Sequence, residues 1–315
     1  MNYRFIVSLF FLLVLGCSQP QKKASSLLDF IPQNAAIVIK INNLDAFKSD
    51  LKNNEFISKL ESFGVYKSVS TQIKHLAHLN TESEALLTFS QLGADNYEFT
   101  FVTQYAASSF KLDSVQNSKK ESVLISGQQI DKYEVEGDIL YSDILDGNIV
   151  ISSSKVILEN LITYFDERNR SAELEKLYEI ASTTKNASIF MNLEESEPLS
   201  KSLVKENAAL RISNFSDWML LDINVSQNHI NLNGISIAKD TITNYVNLFR
   251  DTNPLASITP GLAPRSADAI LSFTFDDYGT FARNQQQYLK AVSPLDSLLN
   301  EVEEIGVIYR NGGKT

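Results

Sequence analysis

Asp146-Gly147 separates two short apolar-rich runs, residues 139–145 and 148–152. A two-residue connection between strands needs positive φ at both positions, and an Asp-Gly pair meets that need at little cost. The two runs are therefore expected to fold back on each other as an antiparallel hairpin. Upstream, Tyr97, Phe99, Phe101 and Thr103 alternate with Glu98, Thr100 and Val102, the period of a strand with one buried face. Residues 85–90, 123–126 and 132–135 read as further strands, so this stretch is constrained to a sheet built from neighbours in the chain.

Helical periodicity brackets those strands. Residues 35–41 form a β-branched run after a turn at 32–34, and Asn42 or Asn43 can cap a helix carrying Leu44, Phe47 and Leu51, continued by Ile57 and Leu60. Ser154 caps a second helix with Ile157, Leu158, Leu161, Ile162 and Phe165 on one face, and a third follows from Ala172 with Leu174, Leu177, Tyr178 and Ala181. The pattern then resumes. Residues 187–193 read as a strand, Glu194, Glu195 and Glu197 place acid at the start of a helix containing Pro198, and 218–225 with 229–237 suggest an antiparallel pair. Ile242, Tyr245, Val246 and Phe249 mark another helix.

Residues 269–281 can be laid on 35–47 without a gap, each with an alternating strand, two Asn or Asp residues, and an aromatic four positions after the second. The unit suggested is a strand feeding directly into a helix, repeated. The expected class is α+β, with repeated strand–helix modules and mostly antiparallel sheets covered by helices. Two modules are expected, 28–185 and 186–315, dividing near 184–187. The second reads as C-terminally incomplete, because 302–309 looks like a strand and its turn at 310–313 leads to nothing that pairs back.

The single cysteine, Cys17, lies outside all of this. It follows an apolar run at residues 5–15, too short for the roughly 20 residues of a membrane-spanning helix but suited to a secretory signal. Val14-Leu15-Gly16-Cys17 resembles the bacterial lipobox. That resemblance implies a signal peptide at 1–16, acylation of Cys17, and a flexible tether through residue 27 that holds the body to a lipid membrane. Ser18 after the cysteine resembles lipoproteins sent to the outer membrane. A formal charge of −10 disfavours nucleic acid as a partner.

Motifs for chemistry are sparse. His75 and His78 are one turn apart, but no HExxH arrangement or nearby sequence ligand accompanies them, and His229 is distant. Ser126 precedes Gly127 without the nucleophile-elbow pattern, and Gly312-Gly313-Lys314-Thr315 lacks the rest of a phosphate-binding loop. Asp276 and Asp277 follow a strand-like run, where catalytic acids can sit, yet the matching Asn42 and Asn43 point to capping. No metal or cofactor is implied.

The lipobox, the Pro-x-x-Ala-Ala strand followed by Asn-Leu-x-x-Phe, and Asp146-Gly-Asn-Ile-Val-Ile-Ser-Ser-Ser154 running into a helix together resemble envelope lipoproteins of the Bacteroidota. No activity or catalytic residue comes with that resemblance. The expectation is a non-catalytic envelope lipoprotein that scaffolds or binds proteins or glycans. The alternative is an envelope hydrolase using dispersed carboxylates such as Asp276 or Asp277.

Overall fold

A computed structural model describes residues 25–55, 74–93, 96–110, 118–165, 170–203, 212–239, 242–256 and 270–292, with isolated positions between 261 and 267. The expected features at Cys17, Ile57, Leu60, Ala269 and 302–315 lie outside the described residues.

The chain has an α+β fold in which one antiparallel sheet is interleaved with helical segments. Among the described residues its ten strands are β1 (Ala35–Ile41), β2 (Ala85–Gln91), β3 (Tyr97–Gln104), β4 (Lys119–Ile125), β5 (Gln128–Val135), β6 (Asp138–Leu145), β7 (Asn148–Ser152), β8 (Ala187–Asn192), β9 (Trp218–Val225) and β10 (Ile230–Ile237). They lie in the order β10-β9-β8-β1-β2-β3-β7-β6-β5-β4.

This order corrects the expected division near 184–187. β8 pairs with β1 on one side and β9 on the other, so the supposed module boundary falls inside a single sheet. The physical reason is that β1 is buried and needs a hydrogen-bonding neighbour at both edges. Local sequence supplies β2, and β8 closes the other edge from about 150 residues away.

Consecutive residues feed opposite faces. On β1, Ile37, Ile39 and Ile41 join one hydrophobic cluster with Leu87, Phe101 and Ile151, while Val38 joins the other with Leu86, Val102 and Val150. Helix α1 (Leu44–Asn53) closes the first face with Leu44 and Phe47. Helices α2 (Lys155–Thr163) and α3 (Ala172–Ile180) close the second through Ile157, Leu158, Leu161, Leu174 and Leu177. Asn43, Ser154 and Ser171 accept from the third residue beyond and cap these three helices.

The strands β4 to β7 form a meander with three two-residue turns, Ser126-Gly127, Glu136-Gly137 and Asp146-Gly147. In each, both residues have positive φ, from 48° at Ser126 to 88° at Gly137. The turns recur every ten residues, with Ile125, Val135 and Leu145 buried before them and Ile130, Leu140 and Val150 buried after.

The proposed repeat survives only in part. Asp277 caps helix α4 (Tyr278–Val292) through Thr280 N at 3.0 Å, as Asn43 caps α1 through Ala46 N at 2.9 Å. The residues before Asp277 are not a strand of the sheet. Among described residues they make one isolated bridge, Pro254 to Phe275. Phe273 and Phe275 instead enter an aromatic cluster with Phe249, at ring centroid distances of 5.0 and 5.5 Å, joined by Phe281 and Tyr245. The expected helix around 242–249 is a short 3₁₀ turn, Tyr245–Phe249, that presents these rings.

Candidate functional site

A cleft of about 290 Å³ opens where residues 105–110 meet the strands β4, β5 and β6. The loop is fixed from several sides. Tyr105 N donates to Gly147 O, Asn80 N donates to Ser109 O, and Ala106 N donates to the buried Ser109 hydroxyl. A bridge between Leu79 and Phe110 then sets the Phe110 ring edge-on to Tyr133, 4.9 Å between centroids.

Strand register brings the polar groups together. Lys120 faces Tyr133 across β4 and β5, and Asp131 faces Ser142 across β5 and β6. Lys120 Nζ is 2.7 Å from the Asp131 carboxylate and 5.4 Å from the centre of the Tyr133 ring. The Tyr133 hydroxyl donates to the same carboxylate at 3.1 Å. The Asp131 hydrogen bond raises the Lys120 pKa, and burial raises that of Tyr133. The Lys120 and Asp131 charges thus compensate each other, and Tyr133 keeps its hydroxyl proton at neutral pH. Tyr105, Gln129, Ile144 and Ile149 complete the lining. Asp143 also borders it, but its carboxylate is engaged by Gln128 Nε2 at 2.5 Å and Ile144 N at 2.8 Å, and burial raises its pKa. Such a surface suits a neutral, hydroxyl-rich ligand with an apolar face.

The histidines fall elsewhere. His75 and His78 lie on a 3₁₀ turn, Lys74–His78, with ring centroids 6.2 Å apart. His75 is 2% exposed, stacked beside Phe99, with Nε2 2.8 Å from Asp138 Oδ2. Lys74 Nζ reaches the same carboxylate oxygen at 2.6 Å. Asp138 is 63 residues from His75, which is why sequence spacing gave no hint of it. Among the described residues no group of three or more His, Cys, Asp or Glu side chains is placed to hold a metal ion. His229 is exposed, with Nδ1 3.0 Å from Asn228 Oδ1.

This cluster has a pH signature. Burial lowers the His75 pKa, and the Lys74 hydrogen bond lowers that of Asp138. On acidification the unfolded chain binds the imidazole proton before the folded chain does. The stability contributed by neutral His75 is present above the unfolded imidazole value of about 6.5 and is lost as pH falls toward the lower folded value. The thermal midpoint should decline from pH 7 to 5, and the H75Q variant should decline less steeply. Equal slopes in the two proteins would remove His75 from this account.

The carboxylates considered for catalysis have structural partners. Asp276 accepts from Asn253 N and Nδ2 at 2.9 and 2.7 Å, and Asp277 takes Thr280 N and Oγ1. These hydrogen bonds lower both pKa values. Glu197 Oε2 accepts from Ser213 N, while Glu194 and Glu195 direct their backbone N–H groups to Asn192 Oδ1. Ser126 donates to Glu159 at 2.9 Å.

One buried ionic cluster had no sequence signal. Lys40 on β1 is 4% exposed, with Nζ 3.2 Å from Glu84 Oε2 and 4.3 Å from the centre of the Tyr178 ring. The Tyr178 hydroxyl donates to the other Glu84 oxygen, and burial raises the phenol pKa so that it stays a donor. A second pocket, about 250 Å³, lies between Leu28, Leu174 and Trp218. Its one guanidinium, Arg170, is already held by Asp29 at 2.5 and 2.6 Å and by Glu175 at 3.1 Å. No family model, no curated protein and no solved structure matches this chain.

Proposed function

We propose that this chain is a non-catalytic lipoprotein of the cell envelope, held at the outer membrane by acylated Cys17, that binds an envelope glycan in the cleft between residues 105–110 and β4–β6. The observation that carries the binding half is the aromatic wall of Tyr105, Phe110 and Tyr133 beside the Lys120–Asp131 pair. A sugar ring offers an apolar C–H face for the phenol ring and hydroxyls for the flanking polar groups. The structural engagement of Asp276 and Asp277 gives the hydrolase alternative no converging pair of carboxylates among the described residues. The anchor half rests on Leu15-Gly16-Cys17 directly after the apolar run.

Two measurements test the two halves. Cys17→Ser should abolish processing of the precursor and move the protein out of the membrane fraction. A shortened, membrane-bound C17S product would refute the anchor. For the cleft, the lipidated protein should retain soluble N-acetylhexosamine oligosaccharides released from the cell wall. Y133A should weaken that retention at least tenfold, about 1.4 kcal/mol. Retention unchanged in a folded Y133A protein, or none by the wild type, would discard the glycan reading.

A further inference from the structure

The strand directions place several separate features at one end of the sheet. β6 ends and β7 begins at Asp146-Gly147, and the Ser126-Gly127 turn lies at the same end because β5 runs antiparallel to β6. The first described residue belongs there too. Ser25 Oγ accepts from Asn148 Nδ2 at 3.3 Å, directly beside the Asp146 turn. Eight residue steps separate Cys17 from Ser25. Even a fully extended chain advances no more than about 3.6 Å per step, so those steps reach about 29 Å at most.

That same end is unusually apolar for a set of turns. Leu124, one residue before Ile125 and the Ser126 turn, is 73% exposed, and Ile144 beside the Asp146 turn is 49% exposed. Tyr105, which donates its N–H to Gly147 O, is 46% exposed. Tyr164 is 53% exposed at the end of α2, where the adjacent Thr163 donates to Ser126. Turn ends of a water-facing sheet are ordinarily polar. Two aliphatic and two tyrosine side chains around them match the composition that enters the interfacial layer of a bilayer, where tyrosine keeps its hydroxyl wet.

We infer that this turn-bearing end is a lipid-contacting rim: Leu124, Ile144, Tyr105 and Tyr164 rest in the interface of the bilayer that holds the acylated Cys17. The inference rests on the anchor reading, and the short reach from Cys17 to Ser25 is what selects a bilayer over other occupants. Insertion is hydrophobic and shallow, on the scale of 5–10 Å that interfacial elements reach. Among the described residues no cluster of basic side chains accompanies this rim, so its contact with lipid is chiefly hydrophobic. One consequence is that lipid contact and glycan binding compete for Tyr105 and Ile144, which line the cleft as well as the rim.

The test uses the chain's lack of any other cysteine. Full-length, lipidated protein carrying Leu124→Cys or Ile139→Cys is labelled with bimane and placed in phosphatidylethanolamine–phosphatidylglycerol vesicles with brominated acyl chains. Ile139 is a matched control, 43% exposed and beside the Glu136-Gly137 turn at the opposite end. Five strand residues, about 17 Å, separate its level from that of Ile144. The Leu124 probe should be quenched by about half or more and the Ile139 probe left unquenched, in both low and high salt, as interfacial insertion to that depth requires. An acylated protein whose Leu124 probe is unquenched, or whose two probes are quenched alike, overturns the rim and leaves the anchor standing. A mature protein whose mass shows no acyl chains on Cys17 overturns the anchor, and the rim with it.

Discussion

Glu84→Ala should destabilise the protein by about 2–4 kcal/mol, and Lys40→Met by clearly less. The asymmetry follows from where the two charges sit. The Lys40 side chain is 5% exposed on a strand with paired neighbours on both sides, whereas the Glu84 side chain is 36% exposed just before β2. Deleting the carboxylate strands an ammonium under the Tyr178 ring, where only a cation–π contact at 4.3 Å remains. It also removes the acceptor of the Tyr178 hydroxyl. Deleting the ammonium leaves a carboxylate that water and Tyr178 both reach, and methionine refills the space along the strand. The estimate stays below the 3–5 kcal/mol of a fully buried pair because Glu84 is partly wet. Urea unfolding of both single variants and of the double variant measures the difference. The double variant should be more stable than E84A alone, since the stranded charge is gone. A K40M protein as damaged as E84A would show that packing, and not charge, dominates the cluster.

The meander explains how much of the fold was legible. Asp146-Gly147 was readable because aspartate tolerates positive φ and advertises it. Ser126 and Glu136 adopt the same geometry, at φ 48° and 53°, with residues that carry no such signal alone. The information lay in the spacing: a glycine every ten residues, with a buried aliphatic two before and three after each. An alternation search over single strands does not register that longer period. The partnership of β1 with β8 was illegible for a different reason. Short, similar strands do not state which edge they join, and the choice depends on covering a buried central strand. The strand expected at 269–275 failed because alternating aromatics serve equally well in a ring cluster. Phe273 and Phe275 find Phe249 in place of a ladder.

The candidate sites divide along the same line. Capping by Asn43 and Asp277 is local, within three residues, and could be read directly. The partner of His75 is Asp138, and the cleft joins residue 105 to residue 149, so both depend on register between strands far apart in the chain. Tyr105 and Tyr133 carry no cleft signal in sequence, because an aromatic in a strand looks the same whether its far side meets a core or a cleft.

Gly234→Ala should release the edge of the sheet. Gly234 on β10 faces Leu221 on β9, and a methyl group built there would stand 1.7 Å from the Leu220 carbonyl oxygen and 2.7 Å from its carbon. Those are backbone atoms of a strand already paired with β8, so they cannot swing aside as a side chain would. β10 must move instead. The pairing runs from Ile230 with Val225 to Ile237 with Trp218, and among the described residues β10 is the last strand on its side. Its residues are mostly exposed, so little apolar burial holds it once the ladder is disturbed. The expected loss is local and about 3 kcal/mol or more, at the upper end of overpacking costs. In hydrogen exchange, amides of 230–237 should lose protection while those of β2 and β3, buried in the middle of the sheet, keep theirs. The bared β9 would present unpaired backbone groups next to Met219, Leu221 and Ile223, so self-association should rise with concentration. Asn233→Ala, one residue away, is the control and should leave exchange unchanged. Full protection of 230–237 in a G234A protein would mean that β9 and β10 tolerate a wider separation, and the close approach at Gly234 would then be incidental to holding the edge.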